Sequence, residues 1–248
     1  MHFRRRFSAF GHWVTSRAWS RAGAVAQVLA THPARRALGL STRVVMLLAG
    51  SSTIAVSVAF LLWNDFGPGP LDVFIGALRN LTGLPLMFAV WLTIGSLAAV
   101  AWALGRRPGF GTLIGPLVTG PVMQLVLSLL QRYDAPQHLV AKVAVHLLAI
   151  GTLGVGAGLV INAGLGSGTG ELLAAAASDR SGRPEPRMRM LIESAWLVLG
   201  VLLGGPIGLG TVLVALAIGP SVARGHRVVG SAVSASRRQL SEARLAIV

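Results

Sequence analysis

Six stretches of this chain carry few or no charged residues: 43–63, 84–104, 112–130, 139–161, 190–203 and 207–222. Crossing the hydrocarbon core of a bilayer takes about 20 apolar residues as a helix. Four of the runs reach that length. The last two are shorter and are separated only by Gly204-Gly205-Pro206, so they are either one bent helix or two; the chain is counted as about six spans. Hydrophobic residues make up 53% of the chain and charged residues 12%, against about 25% charged in soluble domains. A chain like this must satisfy its backbone inside helices within lipid. The expected fold is an all-α polytopic membrane protein.

A net charge of +14 raises the possibility of nucleic-acid binding, but its placement excludes that reading. With six spans the loops alternate sides. Eight Arg lie up to Arg43. Arg106 and Arg107 follow the second span, and Arg180, Arg183, Arg187 and Arg189 follow the fourth. Arg224, Arg227, Arg237, Arg238 and Arg244 close the chain, for nineteen on one side. The other side holds Arg79, Arg132 and Lys142. This asymmetry is the positive-inside pattern, so a cytoplasmic membrane with both termini cytoplasmic is expected. The chain has no Cys, and its six His and few acids form no metal-ligand spacing. No thiol chemistry, metal site or cofactor is expected.

The segment 1–42 interleaves Arg with Phe3, Phe7, Phe10, Trp13 and Trp19. The three Phe fall on one helical face, which suits an amphipathic arm on the anionic inner leaflet; a basic arm that only fixes topology is the alternative. Arg4-Arg5-Arg6-Phe7 brushes the twin-arginine export pattern, but no apolar core or cleavage site follows. His32-Pro33 breaks any helix before the first span.

The chain also repeats itself at an offset of 99. Gly67, Gly69 and Asp72 match Gly166, Gly168 and Glu171; Gly83 and Pro85 match Gly182 and Pro184; Gly105 matches Gly204. Gly109, Gly111, Thr112 and Gly120-Pro121 match Gly208, Gly210, Thr211 and Gly219-Pro220. The register needs no gap, which points to an internal duplication. The units are 43–135 and 136–222, followed by a basic tail, 223–248. Three spans per unit is an odd number, so the second copy enters the membrane from the opposite side: an inverted repeat, with a short half-helix after each unit's first span.

Two motifs recur. FGPGPLDVFIGAL (66–78) and LGSGTGELLAAAA (165–177) each turn on glycines into an apolar helix too short to cross. Pro70 suits a first turn, and exposed N–H groups there can hold an anion. Asp72 and Glu171 sit in that turn, either as caps that offset the helix dipole or as proton- or cation-binding groups. The second motif, Gly-x-Gly-Thr, opens the third and sixth spans. Thr112 and Thr211 are read there as N-caps, with backbone lining a midplane cavity as the alternative. Gly151/Gly154/Gly158 and Gly111/Gly115 are spaced for close helix crossings. Charges inside the bilayer are costly and tend to be functional. Glu193 is one, and Arg189 can reach it at i, i+4. His146, within the fourth span, is either a packed, hydrogen-bonded residue or a titrating one, and Gln124 is expected to bond a neighbouring helix.

At GPGPLDV (67–73), LGRRPGFGT (104–112), AGLGSG (163–168), RMLIE (189–193) and LLGGPIGLGT (202–211), the sequence resembles the YczE/YyaS/YitT family of bacterial integral membrane proteins. The likeness covers residues 44 to about 222. Leu71 stands where the family pattern has Trp, and Thr169 and Glu171 replace Pro and Asp. Gly115 and Gln124 stand where related chains carry Asn and Asp, so an ion coupled through that acid has no carrier at Gln124. The resemblance implies a polytopic cytoplasmic-membrane protein and no particular chemistry.

The function expected first is secondary transport or export of a small solute, with the motif helices of the two halves meeting near the midplane. Asp72, Glu171, Glu193 and His146 are then its polar contacts. A non-transporting binding or scaffold subunit, in a homo-oligomer or a membrane complex, is the second expectation and rests on the basic arm and tail. A channel lacks a charge ring or filter motif. An enzyme lacks any catalytic set.

Overall fold

The computed structural model describes residues 38–245; the aromatic arm lies outside the described residues. Within the described residues eight helices follow one another: α1 (Leu40–Trp63), α2 (Pro70–Thr82), α3 (Leu86–Ala103), α4 (Phe110–Leu130), α5 (Leu139–Ala163), α6 (Thr169–Ser181), α7 (Glu185–Leu202) and α8 (Leu209–Leu245). No strand occurs among the described residues. Among the described residues five helices, α1, α3, α4, α5 and α8, are long and apolar enough to cross a membrane. α7 has a spanning length, but Glu185, Arg187, Arg189 and Glu193 set it apart. The 190–203 and 207–222 runs belong to two helices, broken at Gly204, which holds φ 77°. The helix that holds the sixth run does not stop near residue 222; α8 continues through the basic segment to Leu245.

Helix starts recur at the sequence offset. α5, α6, α7 and α8 begin at Leu139, Thr169, Glu185 and Leu209, each 99 residues after Leu40, Pro70, Leu86 and Phe110. α2 and α6 both start behind a glycine N-cap (Gly69, Gly168) and both end at a left-handed glycine (Gly83, Gly182).

α1 and α5 form an antiparallel central pair. Arg43 reaches Ala163, Gly50 lies on Gly156, Ser57 bonds Thr152 at 2.8 Å, and Asn64 meets Lys142 and His146. A side chain on Gly50 or Gly156 would meet the carbonyl of the other at 2.7–2.9 Å, so close helix approach explains both. α4 flanks α1 and α8 flanks α5, while α2 packs on α3 and α7, and α6 on α7 and α3. In the α5–α8 crossing Gly154 meets Ser221 and Gly158 meets Gly225. Gly151, expected in the same stripe, faces open space. Gly111 packs on Leu165, and Gly115 on Ser51.

The largest core joins Val58, Leu61, Ile75, Val90, Met123 and Ile150. Leu92, Trp102, Leu117, Leu125, Leu148 and Leu202 remain exposed on the outside of the bundle. An apolar shell of this kind is what lipid covers, and the chain is an integral membrane protein.

Candidate functional site

The two glycine turns that leave α1 and α5 are each locked by the first turn of another helix. Gly210 N–H donates to Phe66 O at 2.7 Å, and Gly111 N–H donates to Leu165 O at 2.9 Å. Donor and acceptor in each bond have their counterparts 99 residues away in the other. Gly67 holds φ 118°, and a side chain there would strike Thr211 Oγ1 and Gly208; one on Gly166, at φ 154°, would strike Thr112 and come close to Gly111 N. Only glycine admits both the dihedral and the approach. Thr112 and Thr211 are not N-caps: the caps are Gly109 and Gly208, and the threonines sit three residues on. Thr211 Oγ1 accepts Gly208 N–H at 3.3 Å, whereas Thr112 Oγ1 donates across the crossing to Ser167 O at 2.7 Å. The two crossings lie at opposite ends of the α1–α5 pair. Helices of 24 and 25 residues place them about 36 Å apart at 1.5 Å per residue. The glycine motifs therefore do not converge on a midplane cavity; each closes one end of the bundle.

The acids of the two half-helices differ in their partners. Each lies three residues beyond its glycine N-cap, and each N-cap lacks a side chain where the carboxylate folds back: Asp72 over Gly69, Glu171 over Gly168. Asp72 accepts a bond from the Gly69 backbone, the geometry of an acid satisfying a free N-terminal N–H. Glu171 is further held by Arg189, Nη1 to Oε1 at 2.9 Å. Arg189 also reaches Glu193 at 2.9 Å, the expected i, i+4 pair. One guanidinium thus serves two carboxylates on two helices, all three side chains about one-third exposed. Val90 and Ile94 occupy the offset-related positions of Arg189 and Glu193. Among the described residues Asp72 enters no ion pair.

At the end of α6 the Asp179 carboxylate takes two bonds from Arg106, the shorter 2.6 Å. The guanidinium holds that carboxyl below the usual carboxylate range. Together with Arg180 donating to Leu104 O at 3.3 Å, this ties α6 to the end of α3.

His146 is fully buried at the Gly67–Gly210 crossing. Its Nε2 lies 3.3 Å from Gly210 O, its Nδ1 lies 3.4 Å from Asn64 Nδ2, and the Phe66 ring meets it edge-on. A neutral ring donating from Nε2 and accepting at Nδ1 satisfies both contacts. Asn64, also fully buried, donates to Lys142 O at 2.8 Å and leaves its Oδ1 without a partner. Gln124 accepts Met87 N–H at 3.0 Å, capping α3 from α4, as a helix-to-helix bond.

Two features escaped the motif reading. The end of α5 is capped by a cation: Arg43 donates to Ala163 O at 2.8 Å and to Gly164 O at 2.6 Å. The end of α1 opens instead onto a cleft of about 250 Å³, lined by Leu61, Leu62, Asp65, Phe66, Ile207 and Leu209 among others. Extending the 99-residue offset two positions below Gly67 would have paired Asp65 with Gly164, and carrying it to Arg43 would have paired that residue with Lys142.

The chain is 28% identical over 178 residues to the uncharacterized membrane protein YczE of Bacillus subtilis, covering 69% of this chain and 79% of that one. Over 165 residues it is 23% identical to YyaS of the same organism, covering 66% and 82%. An uncharacterized protein of Haemophilus influenzae is 27% identical over 177 residues, covering 71% and 80%. No solved structure matches the chain significantly. The model of DUF6198, a family of unknown function, matches residues 41–227. Crossing glycine turns, half-helix acids and the central helix pair all fall within that match, and the chain belongs to this family.

Proposed function

We propose that the protein is a secondary transporter or exporter of a small solute, built from two inverted halves, α1–α4 and α5–α8, with both termini in the cytoplasm. The observation that carries this reading is the bond made twice with the halves exchanged, Gly210 to Phe66 and Gly111 to Leu165. Such reciprocity at opposite ends of one antiparallel pair is what a pseudo-two-fold axis in the membrane plane produces, and transporters use it to alternate access. Each half gives two helices to a central group (α1, α4, α5, α8) and two to a second group (α2, α3, α6, α7). Left-handed glycines at 67, 105, 166 and 204 sit in the connections between the groups. Packing favours one face: α3 lies along α4, through Trp91 Nε1 to Pro116 O at 2.9 Å and Gln124 on Met87, whereas α7 makes no comparable contact with α8. Unequal packing of equivalent helices is expected of one state of an alternating cycle. The clamped Glu171–Arg189–Glu193 set and the unclamped Asp72 are then the fixed and the loadable acids of the two halves.

Proteoliposomes loaded with a pH-sensitive dye and challenged with solute gradients test the proposal. Asp72→Asn and Glu193→Gln should each abolish flux; unchanged flux in both refutes their role. Reporter tags inserted after Trp63 and after Ile161 should read from opposite faces of the membrane. The continuation of α8 to Leu245 favours a second reading, a helix that docks a cytosolic or membrane partner, with the basic ends on the anionic inner leaflet. That reading predicts function lost on deletion of 1–37 and 236–248 but kept in the acid substitutions.

A further inference from the structure

The ends of α1 and α5 are equivalent in position, each beside a basic residue of the other helix, but only the α1 end carries a carboxylate. At the end of α5 the chain seats its own cation, Arg43, on the carbonyls of Ala163 and Gly164. At the end of α1 the counterpart cation, Lys142, reaches only the Asp65 carbonyl, at 3.5 Å. Helix C-termini attract cations because the last carbonyls are unpaired and the dipole is negative there. Where α5 has Gly164 at φ 63°, α1 has Asp65 at φ 47°, the only non-glycine residue with positive φ among the described residues. A side chain held in a conformation that glycine adopts freely marks a strained position, and such positions cluster at functional sites. The Asp65 carboxylate is exposed and in no ion pair among the described residues.

Apolar side chains of Leu61, Leu62, Phe66 and Ile207 line the cleft beside that carboxylate. The first turn of α8 also borders it, but three of its donors are spent: Gly208 N–H on Thr211 Oγ1, Gly210 N–H on Phe66 O and Thr211 N–H on Gly208 O. An anion therefore finds little there, while a cation finds the Asp65 carboxylate and the negative end of the α1 dipole. We propose that this cleft binds a small organic cation, its ammonium on Asp65 and the α1 terminus and its apolar body against Leu61, Leu62, Phe66 and Ile207. Only the further step, that such a cation is the transported solute, rests on the transporter reading.

Isothermal titration calorimetry on the purified full-length protein in detergent, with benzylamine, benzyl alcohol and benzoate as probes, tests the binding. Benzylamine should bind saturably at millimolar concentrations, and the neutral and anionic probes at least about tenfold more weakly, as expected for loss of a charge-assisted bond. Asp65→Asn should weaken benzylamine by about tenfold or more. Asp65→Gly installs the residue found at the equivalent end of α5, so it should fold with an unchanged or raised melting temperature and show the same loss. No saturable benzylamine binding by the wild type overturns the proposal, as does equal affinity in either variant. Benzylamine binding without benzylamine flux in proteoliposomes would remove the step from bound cation to transported solute and leave the cation site standing.

Discussion

Gly67→Ala is the sharpest perturbation of the locked crossing. A Cβ on Gly67 would lie 2.7 Å from Thr211 Oγ1 and 2.8 Å from both Cα and N of Gly208. Two of those three atoms are backbone, so no side chain can swing away. Holding alanine at φ 118° costs about 1–3 kcal/mol. Forcing the crossing apart adds about 1–3 kcal/mol, as overpacking does, and displacing the Thr211 hydroxyl from Gly208 N–H adds about 1 kcal/mol. The expected loss is about 3–7 kcal/mol, a large share of a stability of about 5–15 kcal/mol. Gly83 supplies the internal control. It holds φ 68°, and nothing lies within 4 Å of its missing side chain, so Gly83→Ala should cost only about 1–2 kcal/mol, the left-handed penalty alone. Reversible unfolding in mixed micelles by added sodium dodecyl sulfate measures both variants. Gly67→Ala should be the weaker by about 2–4 kcal/mol, the sum of its packing and hydrogen-bond costs. If the two agree within about 0.5 kcal/mol, the scatter of an ordinary surface substitution, the crossing is not a packed contact and the two-fold argument loses its support.

The same assay reads the α5–α8 crossing. Gly225→Ala, driven onto the Gly154 backbone, should cost about 3 kcal/mol, and Gly151→Ala, facing open space, should be neutral or slightly stabilising through helix propensity. Arg189→Gln leaves Glu171 and Glu193 facing each other without their shared cation; at about one-third exposure the cost should be about 1–2 kcal/mol, less than for a fully buried pair. Adding Glu171→Gln to Arg189→Gln should recover part of it, measured as a double-mutant cycle. Asp179→Asn should lower the melting temperature slightly near pH 7. Because Arg106 depresses the folded-state pKa of Asp179, its contribution is present above the ordinary aspartate pKa and is lost as pH falls through the depressed value, so the two melting curves should converge in acid.

Much of this architecture was written in local chemistry. Uncharged runs gave the long helices, and glycines with Pro70 gave the half-helix starts, because lipid and backbone sterics leave few alternatives. Arg189 and Glu193 were legible as a pair because both lie on one helix. Glu171, the third member, was not, since its approach depends on how α6 packs on α7, a relation no spacing encodes. Thr112 and Thr211 were placed at the right helix starts with the wrong role. A glycine had already taken the cap, and that frees a threonine hydroxyl in the first turn to bond across or backward. The midplane cavity failed for a geometric reason: turns at the ends of two antiparallel helices of equal length must lie a helix length apart.

Departures from the repeat carry more information than its matches. Matches such as Gly67 with Gly166 record what the fold requires at both ends, and a residue required twice says nothing about direction or ligand. Arg43 with Lys142, Glu171 with Asp72 and Gly164 with Asp65 change the chemistry while the backbone stays equivalent. Two of them leave negative charge without a partner at the end where α1 meets α2: Asp72 lacks the arginine that Glu171 has, and Asp65 puts a carboxylate where Gly164 has a hydrogen atom, while Lys142 keeps the charge of Arg43 with a single longer bond. Two independent substitutions of one electrostatic sense, at positions the fold would have allowed to remain equivalent, leave that end with carboxylates that its twin pairs with Arg189 or does without.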